Sequence, residues 1–148
     1  MEKIVILLAD DDADDRSVFL QAVNEAEIQV QLTVVEDGRQ LTDFLSTTVE
    51  PPPPDIIFLD INMPFKNGKE CLQEIRQKKK FDPIIVAMYS TSSQRKDIDE
   101  TFSYGANTYI IKPASFGTQI NMLKKLFIPG WKERMRISSR DRFVFKAV

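Results

Sequence analysis

The sequence predicts an α/β domain in which five parallel strands form one doubly wound sheet with five helices. Three observations predict it. Short apolar runs rich in β-branched residues recur five times along the 148 residues. Segments with helical spacing of apolar residues separate them. Polar residues follow the runs, and open α/β sheets gather their functional groups beyond the carboxyl ends of strands. Runs that are apolar on both faces suit buried parallel strands, and regular strand–helix alternation suits crossover connections.

The elements follow in order. Ile4–Ala9 is the first run, and Phe19, Leu20, Val23 and Ala26 form the first helical stripe. Leu32–Val35 is the second; Asp37-Gly38 turns the chain into a helix marked by Leu41, Phe44 and Leu45. Pro51–Pro54 makes a stiff extended connector into the third run, Ile56–Leu59, and Leu72 and Ile75 mark the next helix. Ile84–Met88 is the fourth run, followed by a helix with Ile98 and Phe102 that Gly105 closes as a C′ residue. Thr108–Ile111 is the fifth, and Phe116, Ile120, Leu123 and Phe127 give the last helix its apolar face.

Composition narrows the chemistry. With 43% hydrophobic and 28% charged residues, the chain can bury a core of its own as one domain. It has no histidine, which excludes His-based triads, imidazole metal sites and a phosphohistidine of its own. Cys71 is the single cysteine, so no internal disulfide forms and a reducing cytoplasm is expected. A net charge of −2 predicts no direct nucleic-acid or membrane binding, although residues 131–148 carry +4 and the remainder −6. No apolar run reaches the ~18 residues of a membrane span. The apolar start runs into five aspartates and is no signal peptide.

The residues beyond the strand ends carry the functional signal. Asp10, Asp11 and Asp12 follow the first strand, Asp60 the third, Ser90 the fourth and Lys112 the fifth, with Glu36-Asp37 farther along the sheet. Solvated loops explain any one of these, but poorly explain all four ends at once. Clustered carboxylates repel unless a cation shares their site. Oxygen ligands without histidine or thiolate favour Mg²⁺. A carboxylate there can act as nucleophile on a phosphoryl group, with Mg²⁺ and Lys112 balancing the charge.

Asp10-Asp11, Asp60-Ile61-Asn62-Met63-Pro64 with Gly68, Ser90-Thr91, Gly105-Ala106 and Lys112-Pro113 together resemble a response-regulator receiver domain of two-component signalling. The resemblance spans about Lys3 to Phe127, and the order and spacing of the motifs make it specific. It implies a flavodoxin-like sheet of strand order 2-1-3-4-5, with Asp60 as phosphoacceptor. Mg²⁺ would be held by Asp10, Asp11, Asp60 and the backbone carbonyl of Asn62. Ser90 would be the switch hydroxyl, Lys112 a phosphoryl contact with a cis bond to Pro113, and Tyr109 an aromatic that turns inward on phosphorylation. Asp12, Asp14 and Asp15 match no metal position and are read as helix N-terminal acids. Ser90 departs from the commoner threonine but keeps the hydroxyl. Thr91 is bulkier than the usual small residue, and Asn62 lies where the family tunes dephosphorylation.

The resemblance further implies a sensor histidine kinase or phosphotransfer protein as donor, and a downstream protein partner on residues 94–126. Residues 1–128 are expected to form the receiver and 129–148 a C-terminal extension. About twenty residues after the last helix are too few for an effector domain, so a stand-alone receiver is expected. Phytochrome-associated receivers are similar in carrying such an extension. Trp131 and Phe143-Val144-Phe145 either fold back over the core or form a homodimer or kinase-docking surface. Other classes compete less well. A haloacid-dehalogenase-like phosphatase wants an aspartate where Asn62 stands, and a nucleotide binder wants a Gly-rich first loop. A receiver acting only as an interaction module is the remaining alternative.

Overall fold

The computed structural model describes residues 3–47, 53–137 and 139–146. Its five strands are β1 (Ile4–Ala9), β2 (Val30–Val35), β3 (Ile56–Leu59), β4 (Ile85–Ser90) and β5 (Thr108–Ile111). All neighbouring pairs are parallel, in the order β2-β1-β3-β4-β5. The helices are α1 (Ala13–Glu25), α2 (Gly38–Thr47), α3 (Gly68–Gln77), α4 (Arg95–Ser103), α5 (Phe116–Leu126) and α6 (Trp131–Arg136).

Alternating side chains divide the sheet between two cores. Ile57 and Leu59 of β3 join Leu41, Leu72 and Ile75 on the face covered by α2, α3 and α4. Ile56 and Phe58 join Phe19, Met122 and Leu123 on the face covered by α1 and α5. Every residue of β3 is buried, which is why its run carries no polar alternation. Burying one such side chain contributes about 1.5–3 kcal/mol, so the sheet's centre supplies much of the stability.

Local signals start and stop the helices. The Asp12 side chain caps α1 by accepting from the Asp15 backbone N–H at 2.9 Å. Asn67 and Glu70 form a capping box on α3, and Ser115 caps α5 by accepting from Thr118. Gly105, at φ 100°, ends α4 with paired bonds from Gly105 N to Phe102 O and from Ala106 N to Thr101 O. Such a left-handed C′ position favours glycine.

The structure differs from the sequence expectations in four places. The second strand begins two residues earlier, because Val30 and Gln31 pair with Ile4 and Val5. The fourth strand runs through Tyr89 and Ser90, which pair with Ile110 and Ile111, so Ser90 is the last strand residue. Gly38 opens α2 rather than lying in a loop, and a Cβ there would sit 2.1 Å from the Lys66 carbonyl oxygen. The helix α6 is additional to the expected five. Of the proline connector, Pro51 and Pro52 lie outside the described residues.

Beyond α5 the chain remains in contact with the domain. Trp131 and Met135 of α6 are buried in the α1–α5 core, with the Trp131 ring 4.9 Å from that of Phe127. A 3₁₀ turn at Arg140–Arg142 follows, and Val144 then bridges to Tyr109 in parallel beside β5. The Tyr109 N–H donates to Phe143 O at 2.9 Å and the Phe145 N–H to Tyr109 O at 2.8 Å.

Candidate functional site

The site is assembled at the carboxyl edge of the sheet. Asp10 follows β1, Asp60 follows β3, Ser90 ends β4 and Lys112 follows β5, so the parallel topology delivers all four to one edge. Asp10 is 1% exposed and Asp60 7%, whereas Asp11 is exposed. One carboxylate oxygen from each of Asp10, Asp11 and Asp60 lies within 4.8 Å of the others. Such a set, all oxygen and two-thirds buried, fits a hard divalent cation that keeps part of its water shell.

Lys112 is the hub of the cluster. Its Nζ donates to Asp10 Oδ2 at 2.8 Å, Asp15 Oδ2 at 2.9 Å and Asp60 Oδ2 at 3.1 Å. Burial alone would lower the ammonium's pKa, but the hydrogen bonds to Asp10 and Asp15 and the charge of Asp60 hold it above an ordinary lysine's. Burial pushes the Asp60 carboxyl up to about 6; Lys112 opposes the rise and Asp10 adds to it.

The supporting contacts fix these groups. Asp10 Oδ1 accepts from the Asp12 N–H at 3.0 Å, and Arg16 donates to the Asp10 carbonyl at 2.9 Å. The Asn62 backbone opposes the rise in the Asp60 carboxyl's pKa, so the β3–α3 loop lies close to Asp60. That loop is clamped from below: the Gly68 N–H donates to Ile61 O at 2.8 Å, and a Cβ at Gly68 would meet Asp60 O at 2.1 Å. Phe65 at its tip has φ 69°, is 70% exposed and lies under the Arg39 guanidinium, 3.7 Å from the ring centroid.

Ser90 is wholly buried, and its Oγ accepts from the Ser92 N–H at 3.1 Å. Ser92 in turn donates from its hydroxyl to Asp97, which is also held by Lys69 at 2.6 Å. Tyr109 is wholly buried, and its hydroxyl donates to the Ser92 carbonyl at 2.8 Å. Burial raises the phenol's pKa, with hydrogen bonding to Ser92 and Ser90 opposing. The ring expected to turn inward on phosphorylation already lies inward here. Alongside, a cavity of about 210 Å³ opens between α1 and the start of α5, lined by Asp15, Val18, Tyr89, Lys112 and Gln119 among others.

The structure thus brings Asp10, Asp11, Asp60 and Lys112 together, puts Asn62 beside Asp60, and seats Ser90 and Tyr109 around Ser92. Asp15 was expected only as a helix-dipole acid, yet its carboxylate reaches Lys112. The signal for it was its place in the first turn of a helix that starts just after the acidic pair. Tyr89, whose hydroxyl accepts from Gln119 at 2.6 Å, lines the same mouth; an apolar-looking strand position gave no hint of it.

Comparison with known proteins bears on this arrangement. Residues 6–124 match the family model for the response regulator receiver domain. Response regulator Rcp1 of Synechocystis sp. is 30% identical over 125 residues, covering 82% of this chain and 84% of that protein. The crystal structure of the phosphorylated cyanobacterial phytochrome response regulator RcpA aligns with a TM-score of 0.77 at 27% identity, over 84% of this chain and 91% of that one. The Mn²⁺-bound form of Rcp1 aligns with a TM-score of 0.74 at 28% identity, over 83% and 91%. A family match over most of the chain, on a sheet of the same order with its acidic pair and lysine at one edge, places this chain in the response regulator receiver domain family of two-component signalling.

Proposed function

We propose that this chain is a phosphorylation-driven switch in which Asp60 accepts a phosphoryl group from a histidine kinase or phosphotransfer protein. The observation that carries the reading is the triple contact of Lys112 with Asp10, Asp15 and Asp60 at the mouth of a doubly wound sheet. A carboxylate oxygen of Asp60 attacks the phosphorus of phosphohistidine, the P–N bond breaks, and the imidazole leaves with its electron pair. The product is an acyl phosphate on Asp60. Asp10, Asp11, Asp60 and the Asn62 carbonyl would hold Mg²⁺, which supplies charge neutralisation to the transferred group. The Mn²⁺ in the related Rcp1 structure supports that assignment.

Lys112 is placed to exchange a carboxylate contact for a phosphoryl oxygen, and Ser90 to donate its hydroxyl to another. The added charge of about −1.5 to −2 then repositions the Ser90–Ser92 turn. Asn62, where a haloacid-dehalogenase-like phosphatase wants an aspartate, supports a signalling module over a phosphatase. Output passes through protein contacts on residues 94–126 together with residues 139–146 of the extension, which cross that face: Arg140 pairs with Asp99 at 2.7 Å and Lys125 donates to the Lys146 carbonyl at 2.8 Å. The relatives' phytochrome association makes a light-sensing kinase the class of donor to try first.

Incubation with acetyl phosphate and Mg²⁺ is expected to add one phosphoryl group to the intact mass, and chelation or Asp60→Asn to abolish the gain. A gain that survives Asp60→Asn would move the acceptor elsewhere.

A further inference from the structure

The C-terminal extension meets the site through one continuous set of contacts. Ser90 Oγ accepts from Ser92 N, and Ser92 O accepts from the Tyr109 hydroxyl. Tyr109 is tied to the extension by both its backbone N–H and its carbonyl. The Phe143 ring is 1% exposed and packs against Phe102 at 5.2 Å and Tyr109 at 6.2 Å between centroids. Thr108 Oγ1 donates to Phe143 O at 2.8 Å, so that carbonyl takes two hydrogen bonds from adjacent residues of β5. A ring with no exposed surface turns only if a neighbour yields, and Phe143 lays its ring against that of Tyr109.

We infer that Phe143 is a positioning residue for the acceptor site: by closing over Tyr109 it holds that ring inward and keeps the Ser90–Ser92 turn ordered beside Asp60. The inference rests on the reading of Asp60 as phosphoacceptor. Its energetic logic is linkage. If Ser90 engages the phosphoryl group only while Tyr109 stays inward, the docked extension favours phosphorylation, and phosphorylation favours the docked extension by the same factor. A segment outside the alternating strand–helix core thereby sets how readily the core accepts its signal. The surface presented to a downstream partner would include residues 139–146 in one fixed arrangement.

The test compares wild type with Phe143→Ala, Phe143→Leu, Thr108→Val and Tyr109→Phe, all in the full chain. Amide exchange is read at residues 91–94 without any phosphodonor, and the initial rate of acetyl phosphate labelling is read separately. Phe143→Ala should speed exchange at 91–94 at least tenfold and slow labelling several-fold, with Phe143→Leu recovering part of both. Thr108→Val, which removes one bond to the extension and leaves the core filled, should shift both in the same direction by less. It decides the matter if Phe143→Ala fails to fold. Tyr109→Phe should loosen residues 91–94 while the extension stays protected. Exchange at 91–94 and labelling both within twofold of wild type in Thr108→Val and in folded Phe143→Ala, with residues 139–146 alone frayed, would overturn the inference. Failure of the wild type to be labelled would instead overturn the reading of Asp60, and exchange at 91–94 would still decide whether Phe143 holds the turn.

Discussion

At the scale of single residues, the site is a charge balance. Three carboxylates share one ammonium, and burial holds the Asp60 carboxyl above its ordinary pKa despite the Lys112 contact. The consequence for stability has a definite sign. Between about pH 4 and about pH 6 an unfolded chain gives up this proton while the folded chain retains it. Folding stability from Asp60 therefore falls as pH rises through that window and is flat above it. In the presence of chelator, Asp60→Asn should stabilise the protein at neutral pH by about 1–2 kcal/mol and have little effect near pH 4. Urea melts at the two pH values read this directly. A second residue-level cost lies far from the site. Glu27, exposed at φ 57°, follows the end of α1, where the left-handed conformation favours glycine. Glu27→Gly should raise stability by about 1 kcal/mol without changing phosphoryl uptake.

At the scale of elements, glycines separate the parts that must fit from those with room. Gly68 holds the start of α3 against the Asp60 carbonyl, whereas nothing lies within 4 Å of a Cβ placed on Gly117 in α5. Gly68→Ala should cost about 2 kcal/mol or more and slow phosphoryl uptake, because the backbone that carries Asp60 must shift. Gly117→Ala should add about 0.5–1 kcal/mol; thermal melts of the pair make the comparison. The five strands and the residues at their ends were legible in sequence, because burial on both faces leaves runs such as Ile56–Leu59 without polar interruption. The helix α6 was not. Six residues give less than two turns, and Trp131 and Met135 alone make its buried face. Asp15 was hidden for a related reason: its partner Lys112 is 97 residues away, and only the closed fold brings them within reach. The inward Tyr109 depends likewise on an extension whose path along β5 leaves no periodic signal.

At the scale of the whole molecule, Lys112 is a charged tie between several elements at one edge of the sheet. It joins the ends of β1, β3 and β5 to the first turn of α1. Lys112→Ala should cost about 3 kcal/mol at neutral pH, because it leaves buried Asp10 and Asp60 facing each other unpaired. The loss should shrink at about pH 5, where Asp60 is protonated, and on addition of Mg²⁺; chemical melts across those conditions test it. The same contacts explain how a chain without histidine fits its family. In the proposed reading it supplies only the carboxylate acceptor, and the phosphohistidine comes from another protein. The acidic edge and the basic extension also lie in different parts of the fold, so the small net charge conceals two surfaces of opposite character.

The central claim is that Asp60 becomes an acyl phosphate. After incubation with acetyl phosphate and Mg²⁺, borohydride reduction converts an aspartyl phosphate to homoserine, and peptide mass spectrometry locates it. Homoserine at position 60 alone, absent when chelator is present, is the predicted result; homoserine at Asp10, Asp11 or Asp15, or none at all, would contradict it.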